Sequence, residues 1–127
     1  MDIRVLSISD KKDIIASLKE IGAHQGGIKI MADKAVNRLI KLKHIPSWTA
    51  NILKQEILSL NGDVAINQGA ITGRVKFTDC LIMGSVSQIN QFVEKLRRQP
   101  ESLKKIASEI KAVLENYENK EFLVYAK

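Results

Sequence analysis

Residues that build cross-links, metal sites and kinks are scarce in this sequence. Its 127 residues include one cysteine, two histidines and two prolines, and only 5% are aromatic. Cys80 has no cysteine partner within the chain, which favours a reducing and therefore cytoplasmic setting. His24 and His44 lie far apart, with no further histidine or cysteine at the spacing of metal ligands. We therefore expect no disulfide, no metal and no cofactor.

Long apolar runs are also missing. No stretch approaches the roughly 20 consecutive apolar residues that a membrane-spanning helix needs. The opening residues, MDIRVLSISDKKD, do not combine a basic region with the apolar stretch of a secretory signal. We therefore expect no membrane insertion and no export.

The charge balance is compatible with nucleic-acid binding and also with an ordinary solvated surface. The chain has 20 basic and 14 acidic residues, a net charge of +6 that permits an anionic partner without requiring one. Five of the basic residues fall in one stretch: Lys29, Lys34, Arg38, Lys41 and Lys43. That stretch contains none of the aromatic residues that stack on single-stranded bases, and no helix-turn-helix, zinc-finger or RRM signature appears. Nucleic-acid binding through Lys29–Lys43 is thus the alternative function, and a solvated surface is favoured.

The apolar pattern predicts a single α/β domain over residues 1–127, with about four helices and a mixed, largely parallel sheet of four or five strands. Asp10 is a predicted N-cap and Gly22 ends the first helix. Residues 32–40 fit either helix or strand, and Arg38–His44 favours strand. Helices are predicted at Trp48–Leu60, capped by Ser47, behind the capping box of Ser85 and Gln88, and after Pro100. The predicted strands are Asp2–Ser7, Arg38–His44, Asp63–Asn67, Cys80–Met83 (buried on both faces) and Glu121–Tyr125, with 23–27 and 68–75 as loops.

Catalytic signatures are absent from the pattern. Cys80 is surrounded by Asp79 and aliphatic residues, without the base or electropositive neighbours that activate a thiol. No Ser/His/Asp set and no carboxylate pair stands at a catalytic spacing. We expect a buried structural thiol and no catalysis by the chain alone, although a small enzyme with a charged cluster in a closed cleft remains an alternative.

A polar group near the middle of the chain is the candidate ligand-binding site. Asn51 and Gln55 are four residues apart on the predicted helix and therefore point the same way. The joint Gly84-Ser85 lies between an apolar strand and a helix, where backbone N–H groups can hold a phosphate or carboxylate. The candidate site comprises Asn51, Lys54, Gln55, Glu56, Thr78, Asp79, Gly84 and Ser85. The alternatives are an ordinary exposed helix face and a capped turn.

Several segments of the chain form a distinctive set: GGIKIMADK (26–34), IKL (40–42), ANILKQEILSLNGDVAI (50–66), TDCLIMGS (78–85), QINQFVEKLRRQP (88–100) and IASEIKAVLENY (106–117). Together they resemble the amino-terminal extra domain of clostridial and thermophile dihydropteroate synthases. The sequence departs from the resemblance at 100–102, where relatives have an apolar, glycine-containing turn, and at Val64, where a small residue is usual.

This resemblance implies a place in folate metabolism. In those synthases the pterin and p-aminobenzoate chemistry belongs to a TIM barrel, which 127 residues are too few to contain. The resemblance therefore implies a non-catalytic accessory domain that binds a partner protein or a small anionic ligand, pterin-like or phosphate-like. An exposed edge strand at Glu121–Tyr125 would also permit a homodimer.

Overall fold

The computed structural model describes the backbone of residues 1–126 and the side chains of residues 1–118. Over this part of the chain six helices and three strands form one α/β unit. In chain order they are α1 (Lys11–Ile21), α2 (Gln25–Ala35), β1 (Asn37–Pro46), α3 (Ser47–Leu58), β2 (Asp63–Ile66), α4 (Gln68–Thr72), β3 (Phe77–Ser85), α5 (Val86–Arg97) and α6 (Glu101–Ala126).

The sheet corrects the predicted fold class. Its strand order is β1-β3-β2, and β3 pairs antiparallel with both neighbours, so the expected largely parallel sheet of four or five strands is wrong. Strands β1 and β2 run parallel to each other, as expected when helix α3 connects them. The gap between them is filled by β3, which comes last in sequence. After the short helix α4 the chain turns back, so β3 runs antiparallel to β2. Sequence periodicity carries no information on strand direction.

The two terminal strands of the prediction do not form. Residues 1–9 belong to no helix or strand and are exposed. Glu121–Tyr125 falls within helix α6, and neither proline nor glycine occurs after Pro100 to end that helix. Its side chains lie outside the described residues. The edge strand on which homodimerisation was predicted is therefore absent.

Three local predictions are confirmed and three are corrected. Asp10 caps α1, Gly22 ends it in the left-handed conformation, and Ser85 caps α5. The stretch 23–27 is not all loop, because α2 begins at Gln25 and the His24 ring accepts the Gly26 N–H. Residues 68–75 likewise include the short helix α4. Ser47 is the first residue of α3 rather than its cap, and its hydroxyl donates instead to the Val75 carbonyl at 2.7 Å.

The core lies on one face of the sheet. Register places Ile40 and Val64 on either side of Ile82, and all three are buried against the helices. The largest fully buried side chains of the helices include Leu53, Ile57, Ile89, Phe92, Leu96, Leu103 and Ile110. Alternate residues of β3 point to the opposite face, where Leu81 and Met83 are half-buried. The expectation that Cys80–Met83 is covered on both faces is therefore wrong.

Within the described residues, no helix combines the length and the apolar character needed to span a membrane.

Candidate functional site

Asn51 holds two helices together. Its Nδ2 donates to the Ser47 carbonyl and to the Ala70 carbonyl, both at 3.0 Å. Ala70 belongs to α4, so the Asn51 amide fixes this short helix on the first turns of α3. Its two amide hydrogens are thereby used inside the fold.

Lys54 joins α3 to strand β2. Its Nζ lies 3.0 Å from Asp63 Oδ1 and 2.9 Å from the Val64 carbonyl oxygen. The hydrogen bond from Lys54, aided by the Val64 N–H, holds the pKa of Asp63 below its ordinary value. Both side chains remain partly exposed, so water screens the ion pair.

Gln55 and Glu56 lie on the outside of α3. Gln55 is exposed, whereas Glu56 is half-buried and its Oε2 lies 3.8 Å from Lys95 Nζ on α5. Asn51 thus bonds to α4, whereas Gln55, four residues further along α3, is exposed to solvent.

Thr78 and Asp79 stabilise irregular backbone around the start of β3. The Thr78 hydroxyl accepts the Asn67 N–H at 2.9 Å and donates to the Asp79 carbonyl at 2.7 Å. Asp79 Oδ1 accepts the N–H of His44, a residue with φ of 56° beside an irregularity in the β1–β3 register. The His44 ring stacks on Phe77 with centroids 4.0 Å apart. With Asn67, these residues line an open hollow of about 380 Å³.

The Gly84-Ser85 joint is a capped turn with an additional tie. Ser85 Oγ accepts the Gln88 N–H at 3.1 Å, and Gln88 Oε1 accepts the Ser85 N–H at 2.8 Å. The same Gln88 amide donates through Nε2 to the Leu60 carbonyl at 3.0 Å, which connects the start of α5 to the end of α3. A Cβ on Gly84 would lie 3.3 Å from Gln88 Oε1, so a larger residue there would crowd the capping box.

None of the three described cavities is lined by all eight predicted residues. Thr78 and Asp79 line the hollow with His44, whereas three described cavities include none of the other six. Asn51, Lys54, Thr78 and Ser85 already use polar atoms in hydrogen bonds that support the fold. Ligand binding by the full set stays a prediction.

A larger groove, which the sequence prediction missed, runs between β1 and α6. It encloses about 850 Å³ and is lined by consecutive residues of β1 together with residues of α6. Near this groove, Arg38 Nη2 contacts Glu118 Oε1 at 3.0 Å, and the guanidinium carbon lies 4.8 Å from the centre of the Tyr117 ring. The period-two pattern of β1 was the sequence signal for this groove, because it places Arg38 on the inner face with Ile40 and Leu42.

The basic stretch is divided between two elements, with Lys29 and Lys34 on α2 and Arg38, Lys41 and Lys43 on β1. Lys29 lies on α2 and lines a polar cavity of about 400 Å³, together with Lys11 and Lys111. Arg38 is engaged by Glu118, while Lys41 and Lys43 are exposed on β1. Nucleic-acid binding through Lys29–Lys43 stays a prediction.

Cys80 is a buried thiol without an activating neighbour. Cys80 is 1% exposed, and burial, followed by the nearby Asp79 charge, raises the pKa of its thiol to about 11. A thiol with this pKa is protonated at neutral pH and is a poor nucleophile. Among the residues described, no group of three or more histidine, cysteine, aspartate or glutamate side chains is arranged to hold a metal ion.

Comparison with known proteins shows a relationship to part of an enzyme. The chain is 32% identical over 98 residues to the bifunctional dihydropteroate synthase/dihydropteroate reductase of Helicobacter pylori. The match covers 77% of this chain and 26% of that protein, so the chain spans about a quarter of the length of the relative. No protein-family model matches the chain. No solved structure matches it either.

Proposed function

We propose that this chain is a non-catalytic accessory domain related to dihydropteroate synthase and that it docks on the catalytic part of such an enzyme. One observation carries the proposal: three quarters of the chain, but only a quarter of the bifunctional relative, is matched. The resemblance to the extra domain of these synthases supports the same assignment. Its metabolic setting would be folate synthesis, and its site of action the cytoplasm.

The chemistry of the described residues agrees with a non-catalytic role. The thiol of Cys80 is buried and protonated at neutral pH, and the polar residues of the candidate site mostly hydrogen bond within the fold.

The outer face of the sheet is the surface that we assign to docking. Leu39 is 68% exposed there, beside the half-buried Met83, and Lys41 lies beside Leu81. Phe77 lies further along β3 and is 46% exposed. Apolar side chains grouped on one exposed face, with charged residues among them, are typical of a protein-binding surface.

Two assays test the proposal. The purified chain, incubated with dihydropterin pyrophosphate and p-aminobenzoate, is expected to form no dihydropteroate. The H. pylori enzyme lacking its matched segment is expected to bind the chain in titration calorimetry, and Leu39→Lys should weaken this binding at least tenfold. Ile71→Lys is the matched control, since Ile71 is 62% exposed on α4. Turnover by the chain alone would refute the non-catalytic role, and equal effects of the two variants would refute the docking surface.

A second candidate function is the binding of a small planar ligand in the hollow beside β3. The stacked His44 and Phe77 rings offer an aromatic surface, and the neighbouring Asp79 carboxylate could accept hydrogen bonds from a ring N–H. A pterin has both a planar ring that can stack on this surface and ring N–H groups that can donate to the carboxylate. Thermal-shift measurements with pterins, folates and phosphate would test this, and Phe77→Ala should abolish any stabilisation. The absence of a shift with millimolar ligand would contradict the candidate.

A further inference from the structure

An exposed aromatic pair lies where strand β3 begins. The His44 ring stacks on Phe77 with the ring planes 11° from parallel. Phe77 is 46% exposed and His44 is exposed as well, so a further planar ring can stack on this pair. Together with Asn67, Thr78 and Asp79, the two rings line the hollow of about 380 Å³. Its volume is within the range of small-molecule sites.

A bulge in strand β1 holds the histidine in this position. Lys43 and His44 stand opposite the single residue Asp79 of β3, because the register shifts between Leu42 and Ile45. His44 has φ of 56°, a left-handed value that is uncommon for a residue other than glycine. Asp79 Oδ1 accepts the His44 N–H at 3.0 Å. The backbone that carries the ring is thus held in place by the fold.

Two polar side chains of the hollow retain hydrogen-bonding capacity. Asp79 Oδ1 accepts the His44 N–H, whereas no hydrogen bond to Asp79 Oδ2 is formed among residues 1–118. Asn67 Oδ1 accepts the Gly69 N–H at 2.7 Å, and Asn67 Nδ2 has no acceptor within the same residues. A carboxylate accepts from ring N–H and amino groups, and an amide NH₂ donates to a ring carbonyl. The hollow therefore favours a ring that carries an N–H and an amino group next to a carbonyl.

Positive charge lies at the other end of the aromatic pair. Arg74 and Lys76 are exposed just before Phe77, and neither side chain forms an ion pair within the part of the chain whose side chains are described. Lys76 precedes Asp79 by three residues, which is roughly 10 Å in an extended chain. The site thus has cations at one end, the aromatic pair in the middle and a carboxylate at the other end.

We propose that this hollow binds a guanine nucleotide. The guanine ring stacks on the aromatic pair, and its neighbouring N–H and amino groups donate to the Asp79 carboxylate. The ring carbonyl accepts from the Asn67 amide. The phosphate is attached through the ribose on the side of the ring away from this edge, and it lies at Arg74 and Lys76. Adenine has an acceptor nitrogen where guanine has the ring N–H, so the carboxylate selects against adenine.

This inference rests on the same hollow as the second candidate function and goes beyond it, because it specifies the ring edge and adds a phosphate. A pterin has the same N–H, amino and carbonyl edge as guanine. Without a phosphate, however, a pterin leaves Arg74 and Lys76 unused. Docking on the catalytic part of a synthase does not depend on this inference.

Titration calorimetry at low salt tests the class of ligand. GMP should bind, and guanosine and AMP should each bind at least about tenfold more weakly, because each lacks one charge-assisted contact. Added salt should reduce the difference between GMP and guanosine, since it screens the contact between phosphate and cations.

The outcomes separate this inference from the second candidate function. If guanosine or AMP binds as tightly as GMP, the inference is refuted, and an unphosphorylated pterin that binds equally well would leave the second candidate function standing. No binding of any of these compounds at millimolar concentration would refute both. A short guanine-containing single strand that binds far more tightly than GMP would assign the site to nucleic acid and would also refute the inference.

Two variants locate the contacts. Lys76→Gln should weaken GMP binding about tenfold, to the level of guanosine. Lys105→Gln is the matched control, since Lys105 is exposed on α6, and it should bind GMP as the parent chain does. Asp79→Asn should also weaken GMP binding about tenfold with an unchanged circular dichroism spectrum, because the asparagine oxygen still accepts the His44 N–H. If either Lys76→Gln or Asp79→Asn binds GMP like the control, the nucleotide does not lie as proposed and the inference is overturned.

Discussion

Replacing Gln88 with alanine should destabilise the fold more than replacing Gln91, the other glutamine of α5. The Gln88 side chain accepts the Ser85 N–H at 2.8 Å and donates to the Leu60 carbonyl at 3.0 Å. It therefore closes the capping box of α5 and ties that helix to the end of α3. Each of these bonds lies at a half-buried position where water replaces it poorly.

The expected loss follows from these two hydrogen bonds. An intramolecular hydrogen bond contributes roughly 0.5–1.5 kcal/mol, so Gln88→Ala should lower the free energy of unfolding by about 2 kcal/mol. Gln88→Glu should lower it by only about 1 kcal/mol, because a carboxylate still accepts the Ser85 N–H and is favoured near the start of a helix. It cannot, however, donate to the Leu60 carbonyl.

Urea denaturation followed by circular dichroism measures the effect. With a slope of about 2 kcal/mol/M, the Gln88→Ala midpoint should fall by about 1 M. Gln91→Ala is the control, since Gln91 is exposed on the same helix and its 3.3 Å bond to Ser87 is exposed as well. The control should change stability by no more than about 0.5 kcal/mol. If Gln88→Ala matches Gln91→Ala, the assigned tie between α5 and α3 is wrong.

Two further predictions concern titratable groups. Burial raises the Cys80 pKa from 9.0 to about 11, so the unfolding free energy should fall by up to about 1.4 kcal/mol per pH unit across that interval. Urea denaturation at several pH values should show a smaller fall for Cys80→Ala. An identical fall in the two proteins would contradict this prediction. The lowered pKa of Asp63 stabilises the fold above its ordinary value of 3.8, and this stability is lost as the pH falls through the folded-state pKa. Asp63→Asn should lower the free energy of unfolding by less than about 1 kcal/mol, because the ion pair is exposed. Lys54→Met should lower it more, because this change also removes the hydrogen bond to the Val64 carbonyl. Equal losses of stability in thermal denaturation would refute this prediction.

Local structure was predictable where a side chain and its backbone partner are close in sequence. The caps at Asp10 and Ser85 and the left-handed Gly22 are signals of this kind. The helix behind the capping box, α5, was also predicted, since a period near 3.6 depends on one helix alone.

The sheet was not predictable from the same signals. The antiparallel insertion of β3 between β1 and β2 depends on contacts between distant residues, and apolar patterns do not encode strand direction. The alternation in Asp2–Ser7 indicated a strand, but a strand forms only where a neighbour supplies hydrogen bonds.

The candidate site shows the same limit. The i, i+4 spacing placed Asn51 and Gln55 together on α3, but it could not show that Asn51 bonds to the Ala70 carbonyl while Gln55 remains exposed. The partners of Asn51 and Lys54 belong to α4 and β2, whose positions follow from the tertiary fold. The pattern identified residues with hydrogen-bonding capacity but not the groups that use it.

Replacing the matched segment of the H. pylori enzyme with this chain tests the accessory role most directly. Dihydropteroate synthesis would be measured for the parent enzyme, for the enzyme lacking the segment and for the enzyme carrying this chain instead. The accessory role predicts that the replacement enzyme folds and retains synthesis within about an order of magnitude of the parent. The reason is that most docked interfaces change their backbone shape little on binding. A replacement enzyme no better than the one lacking the segment, when that deletion has impaired synthesis, would contradict it.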